Sequence, residues 1–484
     1  MTFSLNDSDL FRQHAFLGGH WKASESGKTM TVDNPSTGET IGTIPACTPD
    51  ETRAAIESAR IAQIAWRRSS AAQRSALLMS WYQLMLDNLD DLATIMTLEQ
   101  GKPLAEARGE VTYAASFLKW FAAEAEHLQG SALVPSADRR IIVLKEPVGV
   151  TAAITPWNFP LAMITRKCAP AIAAGCSMVI KPSELTPYSA LALAVLAERA
   201  GLPKGLLSVV TGYAQDIGPE LTSSPTVRKL SFTGSTKIGA LLMRQSADTI
   251  KKLSLELGGN APLIVFDDAD LAGAVAGTMV SKFRNAGQTC VCANRVYVQS
   301  GIHDVFLEKL AAEIATLKTG DGFDPQTNIG PLINEAAVAK VKEHVDDALA
   351  KGARLIGKPL EINGRFASPV LLADVTSDMR VAQEETFGPI LPVFRFENED
   401  DAVQQANATP FGLASYFFTN DITRAWRVGE ALDFGMVGLN TGSVSMVSAP
   451  FGGVKQSGLG REGGALGLEE FLEVKSFHMG LPAA

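Results

Sequence analysis

Histidine and cysteine are both scarce: the 484-residue chain has six histidines and five cysteines, the latter at positions 47, 168, 176, 290 and 292. Thiols so few and so scattered exclude a disulfide scaffold and favour a reducing compartment, so a cytoplasmic location is expected. The pair Cys290-Val-Cys292 has no second cysteine pair and no paired histidines at zinc spacing, so no metal site is expected. Basic charge is in deficit, 43 lysines and arginines against 52 acids for a net charge of -9. That removes general attraction to nucleic acid or an anionic membrane. No apolar run approaches the ~20 residues of a membrane span. The opening "MTFSLNDSDLF" carries acids without an apolar core, so a secretory signal is not expected. Internal repeats and low-complexity linkers are missing as well. What is there, 46% hydrophobic and 20% charged residues, fits a globular chain of two or three packed domains, in which any anionic partner must be met by local arginines.

From Asp50 to about His127 apolar residues recur at three and four, which predicts helices interrupted at Gly101 and Pro103. Two β-rich runs follow in "DRRIIVLKEPVGVTAAITPWNFP", separated by Glu146-Pro147; the second is nearly all apolar, as in a buried parallel strand. Short runs at "SMVIKPSE", "LLSVVTG", "RKLSFTGS" and "APLIVFDDAD" alternate with alanine- and leucine-rich helical patterns. The alternation predicts an α/β fold with a parallel, doubly wound sheet. A second alternation, from "ANRVYVQS" to about "GMVGLN", predicts a second α/β domain with helices near 302–316 and 335–351.

Open parallel sheets bind ligands beyond the carboxyl ends of their strands. After "SMVI" stand Lys181, Ser183 and Glu184, a lysine and a carboxylate able to contact a ribose; a charged strand-to-helix loop, with Glu184 in the first helical turn, is the plainer alternative. After "KLSF" comes "TGSTKIG", where Gly234 allows a tight turn and Ser235 and Thr236 can cap a helix whose free N–H groups face a pyrophosphate. It is not a GxGxxG pattern. Cys290, in "GQTC", is a candidate nucleophile, although a lone cysteine is ordinarily a small buried hydrophobe. Asn158 in "TPWNFP" can donate to a developing oxyanion, and Glu256 in "LSLELGGN", between apolar neighbours, can serve as a desolvated base.

Taken in order, "TPWNFP", "KPSE", "FTGST", "LELGG", "GQTC", "EETFGP" and "PFGGVKQSGLGRE" resemble the NAD(P)-dependent aldehyde dehydrogenase superfamily over residues 155 to 462. The resemblance implies an aldehyde dehydrogenase-like α/β fold made of three domains. A Rossmann-type NAD(P)-binding domain would span 1–128 and 148–257, and an α/β catalytic domain 258–448. A small β oligomerisation arm and C-terminal strand would span 129–147 and 470–484. It implies Cys290 as nucleophile, Asn158 with the Cys290 backbone N–H as oxyanion hole, and Glu256 as base for the hydrolytic water. Lys181 and Glu184 would lie at the adenosine ribose, with Ser183 and Lys181 able to tolerate a 2′-phosphate, Gly234 and Ser235 at the pyrophosphate, Glu385 with Phe387 at the nicotinamide ribose, and Trp157 along the groove. For "SGLGREGG" only a structural role is assigned. A carboxylate at Glu184 disfavours a 2′-phosphate, so NAD is the first choice, with NADP tolerated if Glu184 swings away. A homotetramer, a dimer of dimers, is implied.

Two arginines depart from the apolar residues of members that oxidise neutral aldehydes: Arg166, eight residues after Asn158, and Arg284, six before Cys290. Paired arginines bind carboxylates by charge-assisted hydrogen bonds, whereas each alone is equally well a surface salt bridge. With Ser445 they resemble the succinate-semialdehyde dehydrogenase branch, which implies oxidation of succinate semialdehyde to succinate in 4-aminobutyrate degradation. Met446, Val447 and Ser448 depart from that branch, so glutarate semialdehyde and other ω-oxo acids stay open. Cys292 is either a reversible disulfide partner of Cys290, as in some members of the branch, or a packed small residue. Transfer to coenzyme A, a cofactor-free cysteine hydrolase and a non-catalytic use of the fold are the other classes. Glu256 speaks against the first, the missing histidine partner against the second, and the intact Cys290, Asn158 and Glu256 against the third.

Overall fold

A computed structural model describes residues 4–482. Residues 1–3 and 483–484, the outermost positions of the expected cofactor domain and C-terminal strand, lie outside the described residues. The helical stretch folds as Pro49–Trp66, Ala71–Asp87, Leu89–Gln100 and Leu104–Glu126. Thr48 with Glu51 and Ser70 with Gln73 form capping boxes that start the first two. Gly101 ends the third at φ 90°, and a Cβ there would also meet Pro331 Cγ at 2.5 Å. Pro103 stands at the N-cap of the fourth.

Five parallel strands form the centre of an eight-stranded sheet, in the spatial order Leu207–Val209, Ser177–Lys181, Val150–Ile154, Val227–Thr233 and Lys252–Glu256. Ala15–Leu17 and Gly458–Leu459 flank them antiparallel. From Val150–Ile154 the chain winds outward to 177–181 and 207–209, then crosses to the other side at 227–233. That reversal opens a crevice at the carboxyl ends of 150–154 and 227–233. Helices cover both faces, so strands such as 177–181 are buried throughout and read as continuous apolar runs. The β-rich runs near 139–154 divide at Val148-Gly149, Gly149 taking φ 122°, rather than at Glu146-Pro147, which close the strand Arg139–Pro147.

A second, seven-stranded sheet runs Arg354–Ile356, Val370–Ala373, Ile390–Phe396, Ala293–Gln299, Ala261–Val265, Ala414–Phe418 and Met436–Leu439, parallel except at the first pair. Its helices His303–Ile314 and Glu335–Ala350 stand where the periodicity places them. Each large sheet packs on its own apolar core. A third sheet joins Ser131–Ser136, Arg139–Pro147 and Leu472–Gly480 antiparallel. No helix among the described residues is long and apolar enough to cross a membrane.

Candidate active site

Between the two large sheets lies a cleft of about 300 Å³ that gathers Trp157, Asn158, Arg166, Gly234, Ser235, Glu256, Arg284, Cys290, Glu385, Phe387 and Ser445. Cys290 is carried there by a strained turn. After the helix Leu271–Phe283, Asn285, Ala286 and Gly287 take φ of 52°, 56° and 75° in succession. Left-handed backbone costs an L-residue roughly 1–2 kcal/mol, so the turn must be held from outside. The Asn285 backbone N–H donates to Glu106 Oε2 (2.8 Å) and its amide Nδ2 to the Asn158 carbonyl (3.1 Å), while Gln100 Nε2 donates to its Oδ1 (3.0 Å). The turn thereby ties the Cys290 loop to the Asn158 loop. A Cβ at Gly259 would lie 2.4 Å from the Cys290 carbonyl, so that approach requires glycine.

Burial pushes the Cys290 thiol up to about 12, with the Glu385 carboxylate adding to the effect and Arg166 opposing it. The thiol is therefore protonated at neutral pH until a base or a cation acts on it. Cys292 is buried and packs away from the cleft lining: its Sγ donates to the Gly287 carbonyl (3.4 Å) and lies 3.8 Å from Lys282 Nζ. Both cysteines are free thiols.

Asn158 follows the strand Val150–Ile154, and its Nδ2 donates to the Gln288 carbonyl (3.0 Å). Its own carbonyl accepts from Lys102 Nζ (2.7 Å), which is ion-paired with Glu110 Oε2 (2.5 Å) in a fully buried contact. Glu110 Oε1 in turn accepts from the Leu161 and Ala162 N–H groups that open the helix Ala162–Ala174. Glu256 closes the strand Lys252–Glu256, buried, with no hydrogen-bond partner for either carboxylate oxygen among the described residues. Desolvation holds its pKa well above the carboxylate range, and the Glu462 carboxylate raises it further.

Neither arginine is a surface salt bridge. Arg166 is 2% exposed and stacks over Phe451 at 4.1 Å. Its Nη2 donates to the Tyr113 hydroxyl (2.5 Å), its Nη1 lies 3.9 Å from Glu462 Oε2, and its Nε has no partner among the described residues. Glu462 is held instead by Lys167 at 2.6 Å. Arg284 lies half-buried with its guanidinium 4.8 Å over the Phe159 ring. Among the described residues no hydrogen bond or ion pair engages its side chain. Ser445 lines the same cleft from a segment without helix or strand.

On the other side, Glu385 Oε1 accepts from the Gly259 N–H (3.1 Å), and burial pushes its carboxyl up to about 7. Phe387, at φ 56°, meets Trp157 edge to face at 5.6 Å. Lys181 and Glu184 pair at 2.7 Å beyond the strand Ser177–Lys181, in the register next to Ile154. With Ser183 they stand outside the cleft lining. Glu184 precedes the helix Pro187–Arg199 and is not in its first turn. Gly234 does not take a positive φ; its requirement is close packing, since a Cβ would meet the Phe232 ring at 2.4 Å. Ser235 occupies the N-cap of Thr236–Ser246 without making a side-chain cap bond, and Thr236 donates to the Gln456 carbonyl (3.2 Å) instead.

Sequence reasoning missed Tyr113, the Lys102–Glu110 pair and Lys340, whose Nζ donates to the Glu385 carbonyl (2.5 Å). It assigned Glu462, in "GRE", to structure alone, yet that carboxylate sits against Glu256 and one arginine.

The sequence profile described as "Aldehyde dehydrogenase family" matches residues 21–477. A succinate-semialdehyde dehydrogenase [NADP(+)] of Escherichia coli (strain K12) is 58% identical over 480 residues, covering 99% of this chain and 100% of that protein. A glutarate-semialdehyde dehydrogenase of Pseudomonas putida is also 58% identical, over 97% of this chain and 98% of that one. A crystal structure of an aldehyde dehydrogenase from Brucella melitensis biovar abortus 2308 superposes with a TM-score of 0.99 at 56% identity, covering 100% of both chains. The cleft thus sits in a fold and a sequence shared end to end with enzymes of one kind, and the chain belongs to the aldehyde dehydrogenase family.

Proposed function

We propose that the protein oxidises an ω-carboxylated aldehyde to the acid with NAD or NADP, and that succinate semialdehyde is its substrate. One observation carries the choice of an anionic aldehyde: two guanidiniums line the cleft, Arg284 with no hydrogen bond or ion pair among the described residues and Arg166 with only a long 3.9 Å ion pair to Glu462, a carboxylate that Lys167 holds more closely. Desolvated cations are costly unless paired, and a substrate carboxylate supplies the pair. The E. coli and P. putida relatives, alike in identity, are named for succinate and glutarate semialdehydes, which differ by one methylene. Glutarate semialdehyde is therefore the second reading.

In the reaction the Cys290 thiol gives its proton to water in the cleft as its Sγ adds to the aldehyde carbon, while Asn158 Nδ2 and the Cys290 N–H receive the oxyanion. A bound dinucleotide would supply the acceptor for the hydride that leaves this carbon. Glu256 then takes a proton from water as the water attacks the thioester carbonyl, and the carboxylic acid leaves as Cys290 recovers its thiol. The crevice at the strand ends fits the dinucleotide: Trp157, Ser235, Glu385 and Phe387 line it, and the side-chain hydroxyl at the Ser235 N-cap is not spent on capping. Lys181 and Glu184 would meet the adenosine ribose. The pair supports both cofactors, since Glu184 repels a 2′-phosphate and Lys181 attracts it; NAD preference from Glu184 alone stands against the NADP(+) in the E. coli relative's name. The reading extends to the three expected domains, a cytoplasmic homotetramer, and a place in 4-aminobutyrate degradation.

The test is NADH or NADPH formation with succinate semialdehyde against butanal, for the parent and Arg284→Ala. A charge-assisted contact is worth about 1.5–3 kcal/mol, so the acid-to-neutral efficiency ratio should fall on the order of ten- to a hundredfold. Equal effects on both aldehydes, or a parent that prefers butanal, would remove the semialdehyde and leave aldehyde oxidation alone.

A further inference from the structure

Tyr113 lies on the helix Leu104–Glu126, far from every motif that marks the site, yet its side chain lines the cleft. Its oxygen accepts from Arg166 Nη2 at 2.5 Å. A phenol that accepts in this way still has one proton to give. Among the described residues nothing receives it. The ring is fixed by the edge of Phe117 at 5.0 Å and by the Arg166 guanidinium at 5.8 Å, so the hydroxyl is aimed rather than free to search.

We infer that Tyr113 is a specificity-determining residue of this pocket, its hydroxyl donating to the substrate's carboxylate beside Arg166 and Arg284. The inference rests on the proposed ω-carboxylated substrate and adds a neutral donor to the two cationic ones. Its consequence differs from theirs. The arginines attract any anion, whereas a hydroxyl held at one point rewards an oxygen at that point. A neutral aldehyde leaves the proton unpaired in a half-buried site, which disfavours it. The contact also anchors Arg166: with Nη2 committed to Tyr113, the unpartnered Nε belongs to a guanidinium already fixed in place.

The experiment is Tyr113→Phe, which keeps the ring and removes the oxygen. Succinate semialdehyde and butanal are compared in steady state, and succinate is tested as an inhibitor competing with the semialdehyde. The acid-to-neutral efficiency ratio should fall about tenfold, the loss carried by KM rather than kcat, with succinate inhibition weakened in parallel. An unchanged Tm and unchanged dinucleotide binding by fluorescence report that the fold is intact. Arg284→Ala, measured alongside, separates two failures. If it lowers the ratio and Tyr113→Phe does not, or if Tyr113→Phe harms both aldehydes equally, Tyr113 only packs and the substrate reading stands. If neither variant moves the ratio, the substrate reading fails and this inference with it.

Discussion

Glu256 is a buried carboxylate with neither oxygen hydrogen-bonded among the described residues, an arrangement that costs folding energy and suits the base proposed above. Desolvation first, and Glu462 second, raise its pKa above the carboxylate range. As a base it must be ionised, so thioester hydrolysis should be lost below that raised pKa and gained as pH rises through it. Stability responds with the opposite sign. With the folded pKa raised above the unfolded value, the native state binds more protons in the interval, and stability falls as pH climbs through it. Glu256→Gln should therefore form about one equivalent of reduced dinucleotide per active site in a burst and then stall, while its Tm at neutral pH exceeds the parent's. Stopped-flow absorbance and a thermal melt check both; steady turnover by the variant would remove Glu256 from hydrolysis.

At the scale of elements, the Asn158 loop is held against two helices by a buried pair that chemistry never touches. Lys102 bridges Glu110 and the Asn158 carbonyl, and Glu110 also receives the first N–H groups of the helix Ala162–Ala174. Lys102→Met would leave Glu110 buried without its cation, at a cost of about 3–5 kcal/mol by urea unfolding. Adding Glu110→Gln should recover much of that stability but not the activity, because the Asn158 carbonyl still lacks its donor. Activity recovered in the double variant would show that the pair serves folding alone. This is also where legibility in the sequence ends. The buried strands and the residues that follow them, Asn158 and Gly234, are readable because a sheet covered on both faces writes itself as short apolar runs. The contact of Arg166 with Tyr113 joins positions 53 apart, and that of Lys167 with Glu462 joins positions 295 apart. Neither separation leaves a periodic trace. Lys252–Glu256 shows the same limit: its five residues, two of them charged, are legible as a site for Glu256 but not as a strand.

Over the whole molecule, the third sheet is what a single chain leaves unfinished. Leu472–Gly480 pairs along all nine residues with Arg139–Pro147 and, among the described residues, with no other strand of the chain. Val474 (68%) and Phe477 (51%) are exposed at positions of opposite parity, hence on opposite faces of the strand; Leu133 and Val134 repeat the arrangement across the sheet. A small sheet with apolar side chains bare on both faces and a long unpaired edge is a template for association. Two distinct contacts would cover the two faces, as the proposed dimer of dimers requires. The expected parent mass by light scattering is near four times the 51.4 kDa chain. Phe477→Glu loads one face and Val474→Glu the other, so each should halve the mass if each face makes one contact, and the double variant should reach the monomer. A parent already monomeric at micromolar concentration, or a double variant that keeps the parent's mass, would free this sheet of any role in assembly and move the search to the exposed edge strand Met436–Leu439.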